Sequence, residues 1–395
     1  MLKDDGMTWK KNNNVKYHLE DADNFCGAAS LMMILGSKLP NLPVVKQGSS
    51  FPLMHEISCP SNLPSCAFAV SPDALAQGLE HFRGTLSASF HERIASNAHD
   101  MASNVVAAIY ANDPIPPAVL RDGCGHWVVV CDVETDTEPV QGQDFSINKF
   151  FVNVPALGPS PVNHSASDVC GNASGFGATG IVSMYGWLHD FRPCAKLRGV
   201  AGVFSDRTAH IGTLKRPARD DLALMRRHEG RARAVTNADE ASSAAKSGAI
   251  QLDPDHFDEK TIAETPHLVQ RIDRVDEYYY LVRVRNDRYG ADASVRLDAR
   301  NGEPMEMSFD PASCEIATPE QVAAELEGDP RDRCGHAFDF GGAAPSVEPV
   351  LAWRPSRESF SPFSPFHRIV YGDRVLYRDC NGMLHESLTP LPIGA

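Results

Sequence analysis

The segment HLEDADNFCGAASLMMILG, residues 18–36, constrains the fold more than any other stretch of this chain. From Cys26 onward it is almost uniformly apolar, and Ala28, Leu31, Ile34 and Leu35 fall on one face at helical spacing. A helix of that composition belongs at the centre of a globular unit, so the surrounding chain has to supply the layers that cover it. Asp23 or Asn24 can cap its front, and Gly36 is a suitable stop. Cys26 therefore stands in the first turn, where the positive end of the helix dipole favours a thiolate. Gly27 beside it leaves room for a substrate to approach closely. The competing reading is structural, because cysteine is among the residues most often buried.

The 395 residues suffice for two or three domains, and the 43% hydrophobic content supports real cores. Thirty-seven basic residues stand against 51 acidic ones, a net charge of −14. That balance argues against nucleic acid as a partner, since phosphate binding needs clustered Lys and Arg. No apolar run is long enough to span a membrane, and the polar start has no apolar stretch of the Sec signal type. The ten cysteines are scattered and form no dense framework, which reads as a reducing, cytoplasmic setting, with export by another route left open. Cys59 and Cys66 in CPSNLPSC are read as two thiols or as a small disulfide loop.

Three regions follow from the texture of the sequence. Residues 1–205 read as one globular unit, with helical patterns near 73–82 and 99–111 and strand signals at 127–133 and 149–154. A Gly-, Ser-, Pro- and Asn-rich loop at 155–180 precedes buried character at 181–188 and 199–205. Residues 206–255, with the cluster Arg226, Arg227, Arg231 and Arg233, read as a charged helical linker. Residues 256–395 read as β-rich. YYYLVRVRN and ASVRLDA alternate, Asn301-Gly302 marks a tight turn, and HRIVY, RVLYRD and MLHESL form a three-stranded meander.

A second chemical segment is RDGCGHWVVVCDVE, residues 121–134. His126 follows a Gly-rich turn and begins a β-branched run, so it can face a cleft from the edge of a strand. The alternative is a half-exposed histidine that merely ends the strand. If 127–133 and 149–154 pair as an antiparallel hairpin, opposed positions sum to about 280, which sets His126 across from Asn153 or Val154. Asn153 could then accept the Nδ1 proton of His126 and hold the ring towards a thiol. Asp132, six residues along the same strand and so about 20 Å away, is a poorer orienter. Metal and nucleotide motifs (HExxH, paired CxxC, P-loop) are absent, and His18, His55 and His164 lack partners at ligand spacing. No cofactor or metal is expected. Cys124 and Cys131, flanking His126, are read as structural.

Cys-Gly-x-Ala-Ser entering a helix, Gly-His-Trp-Val-Val-Val a hundred residues later, and a strand ending in Asn-x-Pro together resemble the papain-like cysteine peptidase superfamily. The match is to the branch similar to bacteriocin-processing (double-glycine leader) peptidases, over roughly residues 15–160. The resemblance implies an α+β, two-lobed papain-like domain with its site in the cleft. Cys26 would be the nucleophile, His126 the base and Asn153 the third member. It also implies an oxyanion-stabilising Gln six residues before the nucleophile, where this chain has Glu20. An ionised carboxylate cannot donate a hydrogen bond, and losing one such donor costs about 10²–10³ in rate.

Three functions stay open at this point: a thiol-dependent hydrolase of a peptide or isopeptide bond, a pseudo-peptidase that binds a peptide or protein partner without cleaving it, and an acyltransferase using the same thiol. SPFSPFHRIVY and its surroundings resemble accessory domains of the PepSY type, which implies either recognition of a protein partner or an inhibitory cover over the cleft.

Overall fold

The computed structural model describes residues 8–11, 15, 26–42, 45, 70–111, 115–121, 126–155, 180–194, 197–216, 237–309, 316–327, 340, 344–356, 359, 361–380 and 382–389. They fall into two compact units, 8–216 and 237–389, each α+β. Glu20, Cys59, Cys66, the caps at 23–24, the loop at 156–179 and the arginine cluster at 226–233 lie outside the described residues.

The first unit begins with strand β1 (Trp9–Lys11), helix α1 (Cys26–Lys38), α2 (Pro72–Glu80), the single turn α3 (Arg83–Leu86), β2 (Phe90–Ala95) and α4 (Ala98–Tyr110). Strands β3 (Ala118–Arg121), β4 (His126–Thr135), β5 (Asp144–Phe145), β6 (Ile147–Asn153) and β7 (Gly180–Ser183) follow. Helix α5 (Met184–Asp190), β8 (Val200–Ser205) and β9 (Thr213–Leu214) complete it. The sheet runs β7-β6-β4-β3-β8-β2, antiparallel throughout, with β1 on the far end of β4.

Helix α1 is buried on every side from Cys26 to Gly36, as its composition requires. It outruns the expected stop at Gly36 by two residues, and Lys38 in the last turn complements the negative end of the dipole. Alternation along β4 sends Trp127, Val129 and Cys131 into the core around α1. Val128 lies on the alternate face of β4, against which α4 packs. Asn97 caps α4 by accepting from the Asp100 amide, and Ser183 caps α5 by accepting from the Gly186 amide. Trp187 locks α5 down: its ring stacks on Phe191 at 3.8 Å and lies 4.2 Å from Phe150, and its Nε1–H donates to Ala98 O at 2.9 Å.

The second unit contains α6 (Ala238–Leu252), β10 (Ile262–Ala263), β11 (His267–Arg271), β12 (Tyr278–Asn286), β13 (Ala291–Asp298) and β14 (Pro304–Ser308). After α7 (Pro319–Leu326) come β15 (Ser346–Val347), β16 (Leu351–Trp353), β17 (His367–Tyr371), β18 (Arg374–Arg378) and β19 (Leu384–His385). One sheet runs β16-β11-β12-β13-β14 and the other β15-β17-β18-β19, whose last three strands are the expected meander. Gly302 takes φ +73° at the Asn-Gly turn, and the return strand slips register beside Arg296 and Leu297.

One expectation needs correction here. Residues 206–255 are not a linker throughout: β9 pairs with β5 in the first unit, and α6 buries Ala241, Ala245, Ala249 and Leu252 in the second. Its small residues make a close-packing face, and Pro304 sits where a side chain at Gly248 would be. Among the described cysteines, Cys194 and Cys380 are disulfide-bonded, while Cys26 and Cys131 are buried thiols. No helix among the described residues is long and apolar enough to cross a membrane.

Candidate active site

Cys26 and His126 are each the first residue of their element, α1 and β4. The backbone N–H of Trp127 donates to Cys26 Sγ at 3.4 Å, joining segments 101 positions apart. A strand's amide points within the plane of its sheet, so the sulfur lies at the edge of β4, level with the peptide bond between His126 and Trp127. β6 ends at Asn153, opposite Val129, which leaves that part of the edge open to the helix start. An amide donor and a helix N-terminus both favour negative charge on the sulfur, while complete burial of Cys26 opposes it.

Gly27 does not open a path for substrate. A Cβ there would meet Val70 Cβ at 2.7 Å, so the glycine exists to let Val70 pack onto the helix start. Trp127 Nε1–H donates to Val70 O at 2.8 Å and fixes the same contact from the sheet side. His126 is 2% exposed and Cys26 0%.

The register of β4 against β6 differs from expectation. Asn153 lies opposite Val129 and Val152 opposite Val130, so opposed positions sum to 282 there and the ladder stops before reaching His126. Asn153 is about three residues, or ~10 Å, up the strand from His126 and on the other face of β4. Its Nδ2–H donates to Val15 O at 3.5 Å, and its backbone N–H bonds the Cys131 thiol. Asn153 is thus placed as a core tie rather than opposite the imidazole. Cys131 is a structural thiol, as read from the sequence, and burial followed by the neighbouring Asp132 charge pushes its pKa well up.

The residue that does oppose His126 is Arg121, on β3. Arg121 is 2% exposed, and its Nη2 bonds Asp190 Oδ2 at 2.9 Å. Asp190 is fully buried at the end of α5, and its Oδ1 lies 3.0 Å from His189 Nδ1. Sequence reading missed this group. The AVLR run, the four residues 122–125 with two glycines, and the following strand already carried a hairpin signal that pairs 121 with 126. Nothing in the sequence tied Arg121 to Asp190, 69 positions away. Among the described residues there is no group of three or more metal-ligating side chains.

No family model, curated protein or solved structure matches the chain.

Proposed function

We propose that the first unit is a papain-like, thiol-dependent hydrolase of a peptide or isopeptide bond, with Cys26 as nucleophile and His126 as general base. The observation that carries this reading is the hydrogen bond from Trp127 N–H to Cys26 Sγ, which sets the sulfur beside the residue that follows the histidine. A thiol at a helix N-terminus next to a strand-borne histidine is the arrangement that nucleophilic thiol catalysis needs. In the reaction, Sγ adds to the carbonyl carbon and its proton passes to the His126 ring. Collapse of the tetrahedral adduct breaks the C–N bond, and His126 returns the proton to the leaving amine. Water, deprotonated by His126, then releases the acyl group and restores the thiol. The Cys26 amide N–H is one donor for the oxyanion. Asn153, the third member that the resemblance implies, pairs with Val129 in the β4–β6 ladder, so the proposal rests on the Cys–His pair.

A thiol-directed electrophile should label Cys26, and Cys26→Ala should abolish cleavage of a peptide library read by mass spectrometry. Activity that survives Cys26→Ala ends the proposal. Glu20→Gln should preserve or raise the rate. An added amine captured in the product would move the activity to acyl transfer, the third function the sequence leaves open.

The burial of both groups favours a second reading, a binding module on the same scaffold that does not cleave its partner. Wild-type protein that binds peptide tightly, yet leaves Cys26 unlabelled after prolonged exposure to iodoacetamide, would decide for it.

A further inference from the structure

The polar group on the α5 face of the sheet is not explained by packing. Arg121 and Asp190 are both withdrawn from water, and removing an ion pair from water commonly costs as much as the pair returns. The pair sits at one place only, the His126 end of β4. Cross-strand opposition sets the Cβ atoms of Arg121 and His126 roughly 4.5–5.5 Å apart, both on one face. Asp190 holds the guanidinium from behind, and its second oxygen accepts from His189 Nδ1–H, since a carboxylate can only accept. Both of its oxygens are occupied, and α5 itself is pinned by Trp187.

α1 offers Cys26, β3 offers Arg121 and α5 offers Asp190 and His189. The buried face of α4 is apolar (Met101, Ala102, Val105, Val106, Ala108, Ile109). Lys10, Lys149 and Glu134 gather at the far end of β4, around its pairing with β1 and β6.

We infer that Arg121, held by Asp190, is the positioning residue of the site: a fixed charge pair on the β3 side of His126 that sets the orientation and proton affinity of the imidazole. The inference rests on the proposed pairing of Cys26 with His126. Arg121 is the member that opposes His126 in the β3–β4 register, so its removal should favour the protonated imidazole, and removal of the negative member should do the reverse.

The test is the pH titration of the His126 ring by NMR in the full chain, assigned with His126→Gln, alongside the pH dependence of Cys26 alkylation by iodoacetamide. Arg121→Met should raise the His126 midpoint by about one pH unit, Asp190→Asn should lower it, and Arg121→Lys should restore most of the wild-type value. Alkylation should follow with shifts of the same sign. A merely structural pair would not produce shifts of opposite sign. Single variants leave a lone buried charge and can fail to fold. The double variant Arg121→Met/Asp190→Leu leaves none, and its midpoint should still rise, by less, because Arg121 is the member directly opposite His126. An unmoved midpoint in the double variant overturns the inference. If His126 shifts as expected while Cys26 resists alkylation in every protein, the catalytic reading falls and the positioning of His126 stands as a structural fact.

Discussion

At the scale of single residues, two contacts carry consequences that can be measured. Gly27 and Val70 are mutually exclusive in size, since an added Cβ would lie 2.7 Å from Val70 Cβ and 2.8 Å from its Cγ2. A β-branched side chain has no free rotamer to retreat to. Gly27→Ala should therefore cost about 1–3 kcal/mol in urea unfolding, and Val70→Ala introduced with it should return part of that loss. Additive costs in the pair would mean that the two residues do not touch. His367 is the second case. It is 4% exposed, and its pKa is lowered from 6.5 to about 4, first by burial, then by the facing Arg378 and by His267, against a raising contribution from the Ala317 backbone. Arg378 is itself paired with Glu325, and His385 with Asp379, so the cationic surroundings of His367 are fixed by partners. Between pH 6.5 and about 4 the unfolded chain binds a proton that the folded chain refuses, so stability falls as pH drops through that window. Between pH 7 and pH 4.5 the loss assigned to this group is about 2 kcal/mol. His367→Gln should show that much less acid sensitivity than wild type in chemical denaturation. Equal acid sensitivity in the two proteins would remove His367 as the cause.

At the scale of elements, much of the secondary structure was legible and most of the pairing was not. Helices near 73–82 and 99–111 appear as α2 and α4, and the strand signals appear as β4 and β6. Those readings depend on local periodicity, which a sequence displays directly. The β4–β6 register depends on where two bulges fall, between Val130 and Asp132 and between Glu134 and Thr135, and no local pattern announces them. A shift of the pairing sum from about 280 to 282 was enough to carry Asn153 away from His126. Arg121 entered instead through a short hairpin whose turn residues were visible but were read only as a lead-in to His126. Helix α6 shows the converse error, because an Ala- and Ser-rich amphipathic stretch resembles a solvated linker until its partner sheet is known. Its role is testable by placing one charge on each side. Ala245→Glu, on the buried face, should destabilise the protein by about 3 kcal/mol or more, whereas Ser243→Glu, on the exposed face, should stay within about 0.5 kcal/mol of wild type. A free linker would tolerate both, so equal melting temperatures for the two variants would restore that reading.

At the scale of the whole molecule, the state of the cysteines can be measured directly. Spacing alone suggested dispersed thiols, because the approach of two cysteines is a tertiary fact that their positions in sequence do not report. Cys194 and Cys380 are each disulfide-bonded, and bonds of this kind persist where thiols are not kept reduced, which makes the redox state of the isolated protein the deciding measurement. At the candidate site Cys26 is completely buried, and the Trp127 amide donates to its sulfur. Thiol titration of protein unfolded in guanidinium without reductant should find at most eight reactive groups, ten less the two that are bonded. After full reduction it should find ten, with a loss of stability of about 2–5 kcal/mol for a native bridge removed. Peptide mapping without reduction should leave the Cys26 and Cys131 peptides unlinked. Ten thiols in the unreduced protein, with a melting temperature indifferent to reductant, would mean that neither Cys194 nor Cys380 is bonded in solution.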